Sequence, residues 1–206
     1  FVFLSMTLTQ AQEKQALYTI IEGVSSERLE NDIQTLVDFG TRHTLSDTLS
    51  SSRGIGAARR WIKSEFESIS NDCNNCLKVF EQKNYFTPKD GDRIVKPVWI
   101  NNIVALQRGK THPNRFIIMS GDIDSRISDP TNYTEDSPGA NDNASGMAGT
   151  IEAARVLSKY TFENSILYVG LAGEEQGLFG GKGLAAYAQE QGWEIIGILN
   201  NDMIGN

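Results

Sequence analysis

The second half of the sequence alternates between helical and strand-like segments, and this alternation constrains the fold more than any other feature. NASGMAGTIEAARVLSKY and LFGGKGLAAYAQEQ have helical patterns, whereas RFIIMSGDID, SILYVGLA and EIIGILNNDMIG read as strands. Strands that alternate with helices are typical of a parallel sheet covered by helices. We therefore predict an α/β fold for this part of the chain.

The first half adds two helices and two strands. SSERLENDIQTLVDFGTR predicts a helix capped at Ser26 and ended at Gly40, and SSSRGIGAARRWIKSEFESI predicts a second. LKVFEQ and WINNIVALQ are predicted to form an antiparallel strand pair. The apolar positions share one face of each helix: Leu29, Ile33, Leu36 and Val37 in the first, and Ala58, Ile62, Phe66 and Ile69 in the second. The whole sheet is therefore expected to be mixed but largely parallel.

The chain is long enough for one domain, with 206 residues of which 39% are hydrophobic. Phe1 to Leu8 is a short apolar run followed by Ala11, which is typical of the tail of a signal peptide over residues 1–11. Residues 12–206 are then a single domain of a secreted or periplasmic protein. Because the sequence ends on a strand, we expect the C-terminal part of the domain to be absent.

Charge and apolar runs exclude two classes of partner. The net charge is -7, whereas a nucleic-acid-binding protein carries a basic face. No apolar run is long enough to span a membrane. The two cysteines, Cys73 and Cys76, are expected to form a local disulfide or to be structural in an exported protein, and a single such pair is a weak zinc signal.

Acidic residues follow each strand of the α/β half. Ligands bind at the C-terminal ends of parallel strands, so these residues are expected to share one edge of the sheet. They are Asp122 and Asp124, Asp142, Glu174 and Glu175, and Asp202. Carboxylates crowded in this way repel one another unless they are protonated or bind cations, and two divalent metals are the simplest solution. One of the adjacent glutamates can bind metal while the other takes a proton from the attacking water.

Three motifs give this pattern a family resemblance. PGANDNASGMAGTIEAARVLS, LAGEEQGLFGG and ILNNDMIG resemble, in order and spacing, the co-catalytic zinc aminopeptidases (peptidase clan MH). This family includes bacterial leucyl aminopeptidases, glutamate carboxypeptidase and, more distantly, glutaminyl cyclases. The resemblance covers about residues 115–205 strongly and DFGTRHTLS more loosely, and it implies a three-layer sandwich with two zinc ions.

The resemblance also implies roles for individual residues. Asp142 would bridge the two metals, Glu175 would bind one and Asp202 the other, and Glu174 would be the general base. Asp122 stands where the family has its first His ligand. A carboxylate there suits Mn²⁺, Mg²⁺ or Ca²⁺ better than an imidazole would, although it can also bind zinc.

Asp124 and the two histidines differ from the family pattern. In the family, the Asp that corresponds to Asp124 orients the His ligand two residues before it. This chain has Asp122 in place of that His, so Asp124 has no imidazole to orient. We therefore expect Asp124 to pair with Arg126, which lies on the same strand face. The last His ligand of the family lies beyond the matched segment, in the part expected to be absent. His43 and His112 are predicted to be surface loop residues that do not bind metal.

The sequence therefore predicts a metal-dependent aminopeptidase that acts on peptides. Two alternatives remain open. One is an acyltransferase that resembles the glutaminyl cyclases and uses one zinc, and the other is a non-catalytic binding domain that keeps the scaffold. The number of bound metals and the presence of hydrolysis separate these alternatives.

Overall fold

The computed structural model describes residues 15–205, so the predicted signal segment over residues 1–11 lies outside the described residues. Residues 15–22 are helical and form α1. The other helices are α2 (Ser26–Asp38), α3 (Gly54–Asp72), α4 (Gly146–Leu157) and α5 (Phe179–Glu190), and a π-helical turn (Ala140–Ser145) precedes α4. The strands are β1 (Leu77–Phe86), β2 (Val98–Gln107), β3 (His112–Asp122), β4 (Asn164–Leu171) and β5 (Glu194–Asn200).

The five strands form one mixed sheet in the order β1-β2-β4-β3-β5. β1 and β2 are antiparallel, as predicted, and β2 is also antiparallel to β4. β3 is parallel to both β4 and β5, with Asp122 opposite Leu171 and Ser120 opposite Asn200. The C-terminal ends of these three strands therefore lie at the same edge of the sheet. This is the arrangement that the positions of the acidic residues predicted.

Helices cover both faces of the sheet, which gives the predicted three layers. On one face, α2, α3 and α4 pack on the strands through a core that includes Leu36, Ile62, Met147 and Tyr168. On the other face, α5 contributes Leu184 to a second core with Val104 and Val169. The predicted stripe of α3 is confirmed, since Ala58, Ile62, Phe66 and Ile69 are all buried.

Helix α2 begins one residue earlier than the cap prediction placed it. The side chain of Ser25, not Ser26, accepts a hydrogen bond from the backbone N–H of Arg28. The end of the helix agrees better, because Asp38 is its last residue and Gly40 follows with a φ of 71°, a conformation that glycine adopts without strain.

Two further predictions concern the cysteines and membrane-spanning segments. Cys73 and Cys76 form a disulfide that joins the end of α3 to the start of β1, so the expected local pairing is confirmed. In the part of the chain that the structure describes, no helix combines the length and the hydropathy needed to cross a bilayer.

Candidate active site

Four segments bring the predicted acidic residues to one edge of the sheet. Asp122 is the last residue of β3, and Asp124 follows two residues later. Asp142 lies in the π-helical turn, Glu174 and Glu175 follow β4, and Asp202 follows β5. Asp122, Asp124 and Glu175 are buried, Glu174 is half-buried, and Asp142 and Asp202 are exposed. The exposed pair thus borders solvent while the others lie beneath it.

The side chain of Asn143 connects three of these segments. Its Nδ2 donates hydrogen bonds to Asp122 Oδ2 at 2.8 Å and to the carbonyl of Asn201 at 2.9 Å. Its Oδ1 accepts hydrogen bonds from the backbone N–H of Gly146 at 3.0 Å and of Met203 at 3.3 Å. Asn143 therefore fixes the turn that carries Asp142 against the ends of β3 and β5.

Gly146 allows the start of α4 to approach β5 this closely. A Cβ atom at Gly146 would collide with the carbonyl oxygen of Asn201 and with the side chain of Asn143. The absence of a side chain at Gly146 therefore lets the turn that carries Asp142 pack against the segment that carries Asp202.

Asp124 does not pair with Arg126, so that prediction is wrong. Asp124 is fully buried, and its two carboxylate oxygens accept hydrogen bonds of 3.1 Å from the backbone N–H groups of Glu174 and Glu175. The loop after β4 passes close to the end of β3, and its two free N–H groups are better partners for a buried carboxylate than an Arg near the surface. Asp124 consequently fixes the backbone of both glutamates.

The two glutamates have different surroundings. Glu175 Oε2 accepts a hydrogen bond of 2.6 Å from Arg126 Nε, and its carbonyl accepts one of 2.9 Å from Arg93. Glu174 instead lines an open pocket of about 400 Å³, together with Asp122. The chain therefore presents one glutamate to open space and holds the other against an arginine.

The carboxylates destabilise one another's charged forms. Burial raises the pKa of Asp122 to about 8, and the nearby carboxylates of Asp124, Glu174 and Asp202 act in the same direction, against the hydrogen bond from Asn143. Burial also raises the pKa of Glu174, and Glu175, Asp202 and Asp142 raise it further. The pKa of Glu175 is raised for similar reasons, although Arg126 opposes the shift. These carboxyl groups therefore cannot all be ionised at once unless a positive charge compensates them.

A divalent cation fits this edge in charge and in donor chemistry, since carboxylate oxygens bind Zn²⁺, Mn²⁺, Mg²⁺ and Ca²⁺. Between residues 15 and 205, however, no three His, Cys, Asp or Glu side chains stand close enough together to hold a metal ion. Two of the expected ligands have other partners: Asp122 binds Asn143 and Glu175 binds Arg126. A cation must therefore draw these side chains towards each other or take a further ligand.

His43 is buried, contrary to the prediction of a surface loop. Its Nε2 lies 2.9 Å from the carbonyl oxygen of Pro130, and its Nδ1 accepts a hydrogen bond of 3.0 Å from the N–H of Leu45. Burial lowers the pKa of its imidazole. Both ring nitrogens are occupied by backbone groups, which supports the expectation that His43 is no metal ligand. His112 is exposed at the start of β3, at the opposite edge of the sheet.

Sequence reasoning missed Arg42, which is 1% exposed and holds together the segments that carry the acidic residues. Its guanidinium donates to the carbonyls of Leu36, Ile123, Pro138 and Gly139 at 2.6–2.9 Å. These carbonyls belong to α2, to the residue between Asp122 and Asp124, and to the segment before Asp142. Arg42 lies within DFGTRHTLS, the stretch with the looser family resemblance, and that was the only signal that could have indicated its role.

Comparison with known structures identifies this fold. The structure resembles the LapA aminopeptidase of Legionella pneumophila, with a TM-score of 0.68 and 22% identity over 90% of this chain and 44% of that one. It also resembles a glutaminyl cyclase of Fimbriiglobus ruber, with a TM-score of 0.65 and 19% identity over 85% of this chain and 60% of that one. At these identities the likeness shows a shared fold, which is the α/β fold of the aminopeptidase type.

The family is shown by sequence. Residues 102–206 match the model of Peptidase family M28, and the chain belongs to this family. It is also 43% identical, over 92% of its length, to a probable zinc metalloprotease of Pyrenophora teres f. teres, of which it covers 39%. The chain spans about two fifths of the length of the curated relatives that it matches first. Its recognition as a relative of the co-catalytic zinc aminopeptidases is therefore confirmed.

Proposed function

We propose that the full-length protein is a zinc-dependent peptidase that removes N-terminal residues from peptides. The proposal rests on family membership, on the zinc metalloprotease relatives and on one feature of the site. That feature is the bonding of Asp124 to the consecutive N–H groups of Glu174 and Glu175. It fixes the backbone of both glutamates, from which Glu174 reaches the open pocket and Glu175 reaches Arg126, so that one carboxyl group can contact substrate and water while the other binds a cation.

Glu174 is the better general base of the two. It lines the open pocket with Asp122, whereas Glu175 is held by Arg126. Burial and the neighbouring carboxylates raise the pKa of both glutamates, so the open pocket and the arginine, and not basicity, distinguish Glu174 from Glu175. Glu174 would take a proton from the attacking water and return it to the leaving amine.

Asp122, Asp142, Glu175 and Asp202 are the proposed metal ligands. A bound zinc ion would lower the pKa of the attacking water and polarise the scissile carbonyl. The chain's own contribution is to hold these carboxylates on loops fixed by Asn143, Asp124 and Arg42. Two ions are proposed, with Mn²⁺, Mg²⁺ or Ca²⁺ as alternatives beside Asp122.

Hydrolysis of matched peptides by the full-length protein tests the proposal. We expect release of the first residue from peptides with a free N-terminus, and none from the same peptides after N-terminal acetylation. Cleavage of the acetylated peptides at internal bonds would contradict exopeptidase activity. A peptide with N-terminal Gln gives ammonia and a cyclised product if the protein resembles the glutaminyl cyclases in activity, and free Gln if it is an aminopeptidase.

Elemental analysis of the same preparation tests the metal content. Two divalent ions per chain support the proposed ligand set, and one ion supports the cyclase-like alternative. A protein that binds no metal even when zinc is supplied, and hydrolyses none of the peptides, would be a non-catalytic binding domain.

We also propose that the protein is exported from the cytoplasm. The disulfide between Cys73 and Cys76 supports this, because disulfides persist in oxidising compartments. Detection of the full-length protein in the medium or periplasm, and not in the cytosol, is the expected result.

A further inference from the structure

The residue that follows the two glutamates, Gln176, has a buried side-chain amide. Gln176 is 4% exposed, and its Oε1 accepts a hydrogen bond of 2.5 Å from the hydroxyl of Thr44. Its Nε2 has no hydrogen-bond partner among the described residues. An unpaired buried donor destabilises the folded protein, so this amide needs a partner beside the glutamates.

The hydroxyl of Thr44 lies between Gln176 and Asp124. Its Oγ1 is 2.5 Å from Gln176 Oε1 and 3.4 Å from Asp124 Oδ2. A hydroxyl has one hydrogen and cannot serve both acceptors, but it can accept from one group and donate to the other. If the amide of Gln176 is rotated by half a turn, its nitrogen donates to Thr44, and Thr44 is free to donate to Asp124. Amide orientation is assigned from such networks.

We propose that Gln176 and Thr44 form a positioning relay for Asp124. In this relay, Gln176 Nε2–H donates to Thr44 Oγ1, and Thr44 O–H donates to Asp124 Oδ2. The same carboxylate binds the N–H groups of Glu174 and Glu175, so its orientation fixes the backbone from which both glutamate side chains project. The inference rests on the proposed function, because it assigns the relay to the general base and the metal ligand of that site.

Substitution of Thr44 tests the relay. Thr44→Val removes the hydroxyl with almost no change of volume, and Thr44→Ser retains it. Because misplacement of a catalytic group by about 1 Å can cost about 100-fold in rate, we expect Thr44→Val to lower kcat about ten-fold or more while KM changes less than about two-fold. Thr44→Ser should restore kcat to near the wild-type value.

Zinc affinity gives a readout that does not depend on turnover. Because the direction of Glu175 also changes, Thr44→Val should lose zinc at a lower chelator concentration than wild type. Thr44→Ser should lose zinc at the wild-type concentration.

Thr41→Val is the matched control. Thr41 is a buried threonine of the same loop, 2% exposed, with its hydroxyl 3.0 Å from that of Ser137. It also accepts a hydrogen bond of 3.2 Å from the N–H of His43, and it makes no hydrogen bond to Asp124. Both valine variants lose a buried hydroxyl, so both should lower the melting temperature by a few degrees. Only Thr44→Val should change kcat and zinc affinity.

The outcomes separate the relay from the proposed function. Wild-type kcat and zinc affinity in Thr44→Val, or equal losses in both valine variants, would overturn the relay. If wild type itself hydrolyses no peptide, the proposed function fails, and zinc affinity still tests the relay. If Thr44→Val does not fold, Gln176→Met removes the first member of the relay and should show the same losses.

Discussion

Asp122 accepts a hydrogen bond of 2.8 Å from the side-chain amide of Asn143, the residue that follows Asp142. In the family pattern, position 122 carries a His that binds metal. Here a buried carboxylate takes that place, and an amide donor satisfies one of its oxygens. The side chain at this proposed ligand position therefore has a hydrogen-bond partner within the protein even without a cation.

Asp122→His should raise the affinity for zinc. An imidazole reaches further than a carboxylate, and it binds zinc as a neutral ligand, so it adds no negative charge to an edge where carboxylates repel one another. The dissociation constant for zinc, measured by competition with a chelator, should fall. Asp136→His is a suitable control, because Asp136 is an exposed carboxylate that pairs with Arg53. An unchanged zinc affinity in Asp122→His would show that position 122 does not face the cation.

Glu174→Gln and Glu175→Gln should have different effects. Glu174→Gln removes the proposed base, so kcat should fall by about 100-fold to 10,000-fold while zinc content stays near that of wild type. Glu175→Gln removes a proposed ligand, so zinc content should fall as well. Zinc content and kcat are measured on both variants at one pH. If Glu174→Gln loses zinc and Glu175→Gln retains it, the two assignments are reversed.

The acidic edge could be predicted from sequence because it depends only on strand direction. Once β3, β4 and β5 are parallel, the residues after each strand must meet at one edge, and Asp122, Glu174 and Asp202 do so. The spacing of apolar residues is enough to place such strands and the helices between them. That is why the order of the elements from α2 to β5 and the three-layer arrangement were predicted correctly, whereas the helix over residues 15–22 was not predicted.

The contacts made by loops could not be predicted in this way. The expected partner of Asp124 was its near neighbour Arg126, because a periodic pattern only relates residues on the same strand. The actual partners, the N–H groups of Glu174 and Glu175, lie about 50 residues away in sequence. His43 was placed at the surface because its loop is polar, yet its imidazole is buried and forms hydrogen bonds with backbone groups of Pro130 and Leu45.

Arg42→Lys should strongly destabilise the protein. A lysine keeps the charge, but its single ammonium group cannot reach the four carbonyls that the guanidinium binds. Hydrogen bonds from a charged group are worth about 1.5–3 kcal/mol each, so a loss of about 3 kcal/mol or more is expected. The free energy of unfolding, from urea denaturation, measures the loss.

Arg53→Lys provides the comparison for Arg42→Lys. Arg53 is an exposed arginine that pairs with Asp136, and exposed ion pairs contribute about 0–1 kcal/mol. Its replacement should change the free energy of unfolding by less than about 1 kcal/mol. Equal effects of the two substitutions would mean that the carbonyls around Arg42 find other donors.

Asp32→Asn should stabilise the protein at neutral pH and much less in acid. The pKa of Asp32 is raised to about 6, mainly by burial and also by Glu65 and Glu152, whereas Arg28 and Arg155 act in the opposite direction. Its Oδ2 is buried and has no hydrogen-bond partner among the described residues. Because the pKa is higher in the folded state than in the unfolded state, the folded protein binds the proton more tightly. The contribution of the bound proton to the stability of the folded protein is complete at low pH and is lost as the pH rises through about 6.

Asparagine resembles the protonated carboxyl group at every pH, so the difference between Asp32→Asn and wild type should depend on pH. We expect a higher melting temperature for the variant near pH 7.5 and a much smaller difference near pH 4.5, where more of Asp32 is protonated in the folded wild type. Asp90→Asn, at an exposed position, controls for the loss of one negative charge. An equal gain at both pH values would attribute the effect to new amide contacts and not to the charge of Asp32.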